Sequence, residues 1–317
     1  MILAMMIVHF GNPTAMVAYG DSITSGWNGA DFAITPQVSL MASRRSMTLA
    51  NNARGGMTLP WSSDPAGGNL FGANITDGTL YWLGHGFGEN AFMPDNVQIT
   101  ENFRSELLSC ASWLAVRDSR KVKGNGSTYG QTTIVKTGNW LDTPYYSFGC
   151  QSSSGGSKVT ISNITGQRFI IGMTGADPNH SLSAGSFTIS VDGKPAYYGL
   201  TQWSRTFDIP LGAVPSWNYI PMGIVINTPL YGCHVIEINV TSVSGWVEFD
   251  WMASLDQLSS CHDGGLVMAG VTMAGTNERN DSSRYGGEYF KRLERINRVI
   301  HGVATSVSYT HLRAHET

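Results

Sequence analysis

Val17-Ala18-Tyr19-Gly20-Asp21-Ser22-Ile23-Thr24 decides how this chain is read. Short apolar residues lead in, as a buried strand requires, and Gly20 lets the backbone turn sharply. Ser22 then falls where a helix begins. A serine on such a turn presents its hydroxyl and stands close to helix N–H groups that stabilise an anion. An acyl-transfer nucleophile needs both. Capping of a helix by Asp21 or Ser22 explains the same stretch without any chemistry, so the neighbouring segments have to decide.

The chain has 317 residues, 42% hydrophobic and only 14% charged, with 37 glycines. This is the composition of a folded, turn-rich protein with much β structure. A formal net charge of -3 offers no basic surface for nucleic acid and no polybasic patch for a membrane. Cys110, Cys150, Cys233 and Cys261 are far apart and form no CxxC pair, so zinc and thioredoxin-like chemistry have no support. Disulfides cannot be assigned from spacing. No cofactor or metal is expected. The apolar opening, Met1 to Val8, lacks a cationic lead and a small-residue cleavage site. It is a poor signal peptide and too short to span a bilayer. Sequons at Asn74, Asn125, Asn163 and Asn239 arise readily in a sequence this rich in Asn, Ser and Thr.

Outward from the opening stretch, three textures follow. Over 14–122, short strands (Met16–Tyr19, Tyr81–Leu83) alternate with helical patterns. Phe103, Leu107, Leu108, Ala111 and Leu114 share one face of a predicted helix over Glu101–Arg117. This alternation predicts a parallel sheet covered by helices. Over 123–256 the helical signal disappears. Runs such as Thr132–Lys136, Lys158–Ile161, Arg168–Met173, Phe187–Asp192, His234–Val240 and Trp246–Trp251 stand between turn residues, with Asp192-Gly193 a hairpin signal. That segment reads as an antiparallel, jelly-roll-like sandwich. Over 257–305 the α/β texture returns, with an apolar strand in Gly265–Met273 and a helix over Tyr285–Val303 striped by Tyr289, Leu293, Ile296 and Ile300. The reading is one α/β domain interrupted by a β domain. Residues 306–317 resemble translated adapter sequence and are expected to lie outside the fold.

Three separated segments then line up: Gly20-Asp21-Ser22, Asn51-Asn52-Ala53-Arg54-Gly55-Gly56-Met57-Thr58 and Gly88-Glu89-Asn90-Ala91-Phe92. In this order, each after a predicted strand, they resemble the first three sequence blocks of the SGNH (GDSL-type) hydrolases. The resemblance implies a flavodoxin-like esterase domain with its site at the C-terminal ends of the strands. It also implies that Ser22 is the nucleophile. The N–H groups of Ser22 and Gly56 and the side-chain amide of Asn90 would hold the oxyanion, each worth about 3–4 kcal/mol. The third block departs from the family, which has Asp where this chain has Ala91. A GxGxG run, Gly84-His85-Gly86-Phe87-Gly88, lacks the spacing of a dinucleotide loop.

A serine also needs a base. In the family this is a histidine in a final D-x-x-H block, and none stands after the last helix here. His311 and His315 lack an Asp three residues before them, His301 lies within the helix, and His85 reads as a structural strand-end residue. Asp177-Pro178-Asn179-His180 matches the pattern but precedes the last strand–helix unit and is read as a sandwich loop. Cys261-His262-Asp263 is a weaker candidate. The expected activity is therefore hydrolysis of an ester, such as O-acetyl groups on carbohydrate, impaired in this chain. Loss of such a histidine costs on the order of a millionfold in turnover. Trp140, Tyr145, Tyr146, Tyr197, Tyr198, Trp203 and Trp217 in the β insert are candidates to stack on sugar rings. The expected partner is a small-molecule or polysaccharide ester. The alternative is a non-catalytic carbohydrate- or surface-binding module with a vestigial hydrolase fold.

Overall fold

The computed structural model describes residues 5–7, 12–26, 35–55, 57–85, 97–143, 146–176, 185–200, 219–242, 245–256, 262–269 and 289–313. The chain opens with β1 (Met5–Ile7), β2 (Ala15–Gly20), α1 (Ser22–Ser25), α2 (Gln37–Arg44), β3 (Thr48–Asn51), α3 (Leu59–Ser63), β4 (Thr79–Gly84) and α4 (Val97–Ala115). A run of strands follows: β5 (Val122–Lys123), β6 (Thr133–Thr137), β7 (Leu141–Asp142), β8 (Cys150–Ser152), β9 (Lys158–Ala176), β10 (Ser186–Val191), β11 (Lys194–Leu200), β12 (Tyr219–Ser242) and β13 (Val247–Ser254). It closes with β14 (Leu266–Ala269) and α5 (Tyr289–Arg313). These elements fall into two compact units. One comprises Met1–Leu107, Arg205–Pro215 and His262–Thr317, and the other Leu108–Ser204 and Ser216–Cys261.

The first unit is built on a five-stranded sheet in the order β1-β14-β4-β2-β3. β3, β2, β4 and β14 run parallel, and β1 adds to the edge antiparallel to β14. β4 is buried along almost its whole length, as a parallel strand covered on both faces must be. Val38 and Ala42 of α2 join Met16, Ala18, Leu80 and Trp82 in one apolar cluster. The helix expected over 285–303 runs instead over Tyr289–Arg313. Residues 306–313, expected to lie outside the fold, continue it. Val299, Val303 and Val307 are all buried, so the four-residue spacing extends the stripe one turn past the expected end.

The second unit is a nine-stranded antiparallel sheet with the main order β11-β10-β12-β9-β13-β8-β7. β9 and β12 pair along most of their length, from Lys158↔Asn239 to Ala176↔Tyr219. The separate strands expected at 158–161 and 168–173 are therefore parts of one. The polar stretch between them reads as a turn, but Ile164, Thr165 and Gly166 keep partners in His234, Cys233 and Gly232. Apolar residues from β8, β9, β10, β12 and β13 form a single buried cluster that contains no helical residue. The hairpin signal at Asp192-Gly193 holds: both residues have positive φ, 50° and 76°, between β10 and β11.

Candidate active site

In the first unit β2 ends at Gly20, and Ser22 opens α1 two residues later. β4 ends alongside it. Gly20 pairs with Gly84, the Asp21 N–H donates to the Gly84 carbonyl at 3.2 Å, and the Thr24 hydroxyl donates to the same oxygen at 3.0 Å. A Cβ on Gly20 would lie 2.4 Å from Thr24 Oγ1, and one on Gly84 2.2 Å from it. These two glycines let the chain fold back across the strand ends. β3 ends on the other side, and its pairing continues past Asn51. Asn52 N–H donates to the Ala18 carbonyl at 2.8 Å, and Arg54 N–H to the Gly20 carbonyl at 3.1 Å. Ser22, residues 52–55 and His85 thus share the C-terminal edge of the parallel strands, where open α/β sheets bind ligands. Gly56, Asn90 and the Asp177–His180 segment lie outside the described residues. Because α1 is a single turn, few peptide dipoles add along it.

The histidines divide by position. His85 stands at the edge of Ser22, but it is buried and its Nε2 lies 2.7 Å from the buried Ser62 hydroxyl. This is the structural role expected of it. His262 precedes β14, at the N-terminal edge of the same sheet. It meets Tyr81 edge to face at 5.2 Å, while the Gly78 N–H donates to the adjacent Asp263 carboxylate at 2.8 Å. A six-residue strand separates that edge from Ser22, about 20 Å, so His262 cannot serve it as a base. His301 is exposed on α5, and its carbonyl accepts from the Thr305 hydroxyl. Tyr19, on β2, is no substitute: burial pushes its hydroxyl up to about 12 against the opposing pull of a hydrogen bond to Asn52. It stays protonated near neutrality.

The second unit holds a cavity of about 590 Å³ beside β7 and β8. Trp140 and Trp246 line it together with Asn139, Gln151, Ser153 and Ser154. Trp140 packs on the apolar core, and its indole N–H donates to the Thr137 carbonyl at 3.1 Å. Asn139 donates from its side-chain amide to the Ser154 hydroxyl at 3.3 Å and from its backbone to the Ser157 hydroxyl at 3.2 Å. Of the described sugar-stacking candidates, Trp140 alone lines this cavity. Tyr146 is buried and stacks on Phe148 at 5.3 Å, so it is a core residue. Tyr197 and Tyr198 lie on the edge strand β11, with Tyr198 65% exposed. Tyr145, Trp203 and Trp217 lie outside the described residues. Trp246 was missed as a candidate because it sits in a strand-like run, where a ring is assigned to the core.

Glu248 and Asp250 are both buried on β13. The Asp250 carboxylate accepts from the Thr174 hydroxyl at 2.8 Å. Burial pushes Glu248 up to about 7, and burial and then the charge of Glu248 push Asp250 upward too. Among the described residues no three His, Cys, Asp or Glu side chains gather as a metal site, and no helix is long and apolar enough to cross a membrane. Cys150 is a buried free thiol and Cys233 an exposed one, and Cys110 is buried.

No protein-family model matches the chain, and no curated protein matches it. Similar solved structures include a family two carbohydrate esterase from Cellvibrio japonicus, 13% identical over 38% of this chain and 29% of that one, with a TM-score of 0.25. Another is a family two carbohydrate esterase from Clostridium thermocellum in complex with cellohexaose, 18% identical over 38% of this chain and 30% of that one, TM-score 0.27. A third is the CBM36-1 domain of a multidomain xylanase from the hindgut metagenome of Trinervitermes trinervoides, 15% identical over 38% of this chain and 94% of that one, TM-score 0.26. The chain spans under a third of the length of the two esterases. Likeness at these scores fixes neither the fold nor the function.

Proposed function

We propose that this chain is a serine ester hydrolase of the SGNH type, with a flavodoxin-like catalytic unit, acting on acyl esters of carbohydrate. Ser22 Oγ adds to the ester carbonyl as a base takes its proton. The N–H groups of Ser22 and Gly56 and the Asn90 amide hold the resulting oxyanion. Collapse expels the alcohol and leaves an acyl-serine, and water then releases the acid and restores Ser22.

The reading rests on one observation: Ser22 begins a helix two residues after the end of β2, where the ends of β3 and β4 converge. The strand order supports it. In chain order the four parallel strands stand 2-1-3-4 in the sheet, as in flavodoxin-like folds, with the antiparallel β1 at the next position. No histidine described at this edge is placed as the base, since His85 is engaged with Ser62.

The test is hydrolysis of 4-nitrophenyl acetate, measured over the buffer reaction with and without added imidazole. The expected result is slow turnover that imidazole increases and that Ser22→Ala abolishes. Asn90→Ala should lower what remains by about a hundredfold or more. Equal turnover in the parent chain and Ser22→Ala would overturn the reading. Ala91, where the family has Asp, favours the second reading, a binding module with a vestigial hydrolase unit. That reading expects no Ser22-dependent turnover under any condition.

A further inference from the structure

We propose that the cavity between Trp140 and Trp246 is a binding site for neutral sugar rings, the place where the antiparallel unit holds a polysaccharide. The proposal takes only the carbohydrate part of the function above and is independent of Ser22.

Four properties of the lining point to this ligand. Its volume, about 590 Å³, lies within the ~300–1,000 Å³ range of sites for small ligands. Two indoles contribute large, flat apolar surfaces, which suit the C–H faces of a pyranose ring. Around them stand Asn139 and Gln151, whose amides each both donate and accept, and the hydroxyls of Ser153 and Ser154. Sugar hydroxyls need this dual capacity, because each is itself a donor and an acceptor. Finally, no charged side chain lines the cavity among the described residues. Acidic polymers, phosphorylated ligands and peptide termini would find no counter-charge there.

The site is also held in shape before a ligand arrives. The Trp140 N–H is tied to the Thr137 carbonyl, and its ring rests on the core. Asn139 is held from its backbone by Ser157 and from its side chain by Ser154. Little rotamer freedom is left to lose on binding, and rigid aromatic anchors convert contact into affinity most efficiently.

The test is affinity electrophoresis of the full chain in gels containing soluble xylan, mixed-linkage β-glucan or galactomannan, with polygalacturonate as the acidic control. Retardation is expected in at least one neutral polymer and not in polygalacturonate. Trp140→Ala and Trp246→Ala should each weaken that binding at least tenfold. Because Trp140 also packs on the core, Ser153→Trp provides a second arm. Ser153 is exposed, so a bulky residue there fills the cavity without disturbing the core, and it too should abolish retardation. Ser22→Ala should bind as the parent does, and Ser153→Trp should keep the parent's 4-nitrophenyl acetate turnover. Migration unaffected by all the neutral polymers overturns the proposal. So does retardation that survives Ser153→Trp and both folded Trp variants. Loss of Ser22-dependent hydrolysis with sugar binding intact would count against the esterase alone.

Discussion

The two units place their buried polar groups differently, and the difference separates chemistry from architecture. In the parallel unit, several buried polar groups stand at the C-terminal strand ends. Thr24 bonds the Gly84 carbonyl and Ser62 bonds His85, beside the turn that carries Ser22. In the antiparallel unit, the buried carboxylates of Glu248 and Asp250 sit mid-strand on β13, all eight residues of which are buried. A strand end opens onto a cleft where reactants can enter. The middle of a strand covered on both faces has no such access, and its polar groups act on stability. The two units should therefore respond to different perturbations.

The largest contrast is expected from the core. Phe169 is fully buried in the single apolar cluster of the antiparallel unit. Phe169→Ala should cost about 3–5 kcal/mol. Differential scanning calorimetry should show this as a lowered melting transition for that unit. Ser22-dependent hydrolysis, measured well below the transition, should be unchanged if the units are as distinct as their packing.

Protonation offers the next largest. Glu248 is raised from 4.5 to about 7 by burial, and Asp250 is raised as well. The folded unit then binds more protons than the unfolded chain between those values, so stability falls as pH rises through the window. The slope reaches about 1.4 kcal/mol per pH unit where the proton difference is one. Denaturant titrations at pH 5 and 8 should find the antiparallel unit less stable at pH 8. Glu248→Gln should flatten the profile, and an unchanged profile would remove Glu248 from the account.

In the parallel unit the sensitive points are glycines. A Cβ at Gly84 would stand 2.2 Å from Thr24 Oγ1 and 2.5 Å from Trp82 Nε1. Gly84→Ala should cost about 1–3 kcal/mol in overpacking and displace the strand end next to Ser22. Unlike Phe169→Ala, it should lower both the melting temperature and the turnover. Wild-type turnover in a folded Gly84→Ala protein would mean that the β4 end does not position the nucleophile.

What could be read from sequence differs between the units for the same reason. At the parallel strand ends, Gly20-Asp21-Ser22 and Asn51 to Gly55 announce themselves because special backbone geometry demands particular residues. Long antiparallel strands are set by distant pairing. Nothing local shows that the chain rejoins the β9–β12 ladder at Ile164, Thr165 and Gly166, past an irregularity at Asn163 with its φ of 60°. The cavity depends on distant residues too, since Trp246 joins Trp140 only through sheet registry. Trp140 lies between the predicted strand runs Thr132–Lys136 and Lys158–Ile161. Trp246 was hidden in a run of strand-forming neighbours.

Asp192 tests the smallest expected effect, at a hairpin turn that local sequence did announce. It occupies a left-handed conformation at the β10–β11 turn. One carboxylate oxygen accepts from the Val235 N–H at 2.9 Å, and the other lies 2.7 Å from His234 Nδ1. These bonds, the backbone one foremost, hold its carboxyl below the usual range. Half of the Asp192 side chain is exposed, so the pair with His234 contributes little beyond its hydrogen bonds. Asp192→Ala should cost about 1 kcal/mol. Because the folded carboxyl is the stronger acid, that contribution is present above the unfolded carboxylate range and fades as pH falls through the folded value. The acid dependence has the opposite sign to that of Glu248. Comparing Asp192→Ala with Glu248→Gln from pH 3 to 8 should therefore separate a turn that favours its charge from a strand that opposes it. Parallel profiles for the two variants would mean that burial on β13, rather than the hairpin or its hydrogen bonds, governs the pH response of the whole unit.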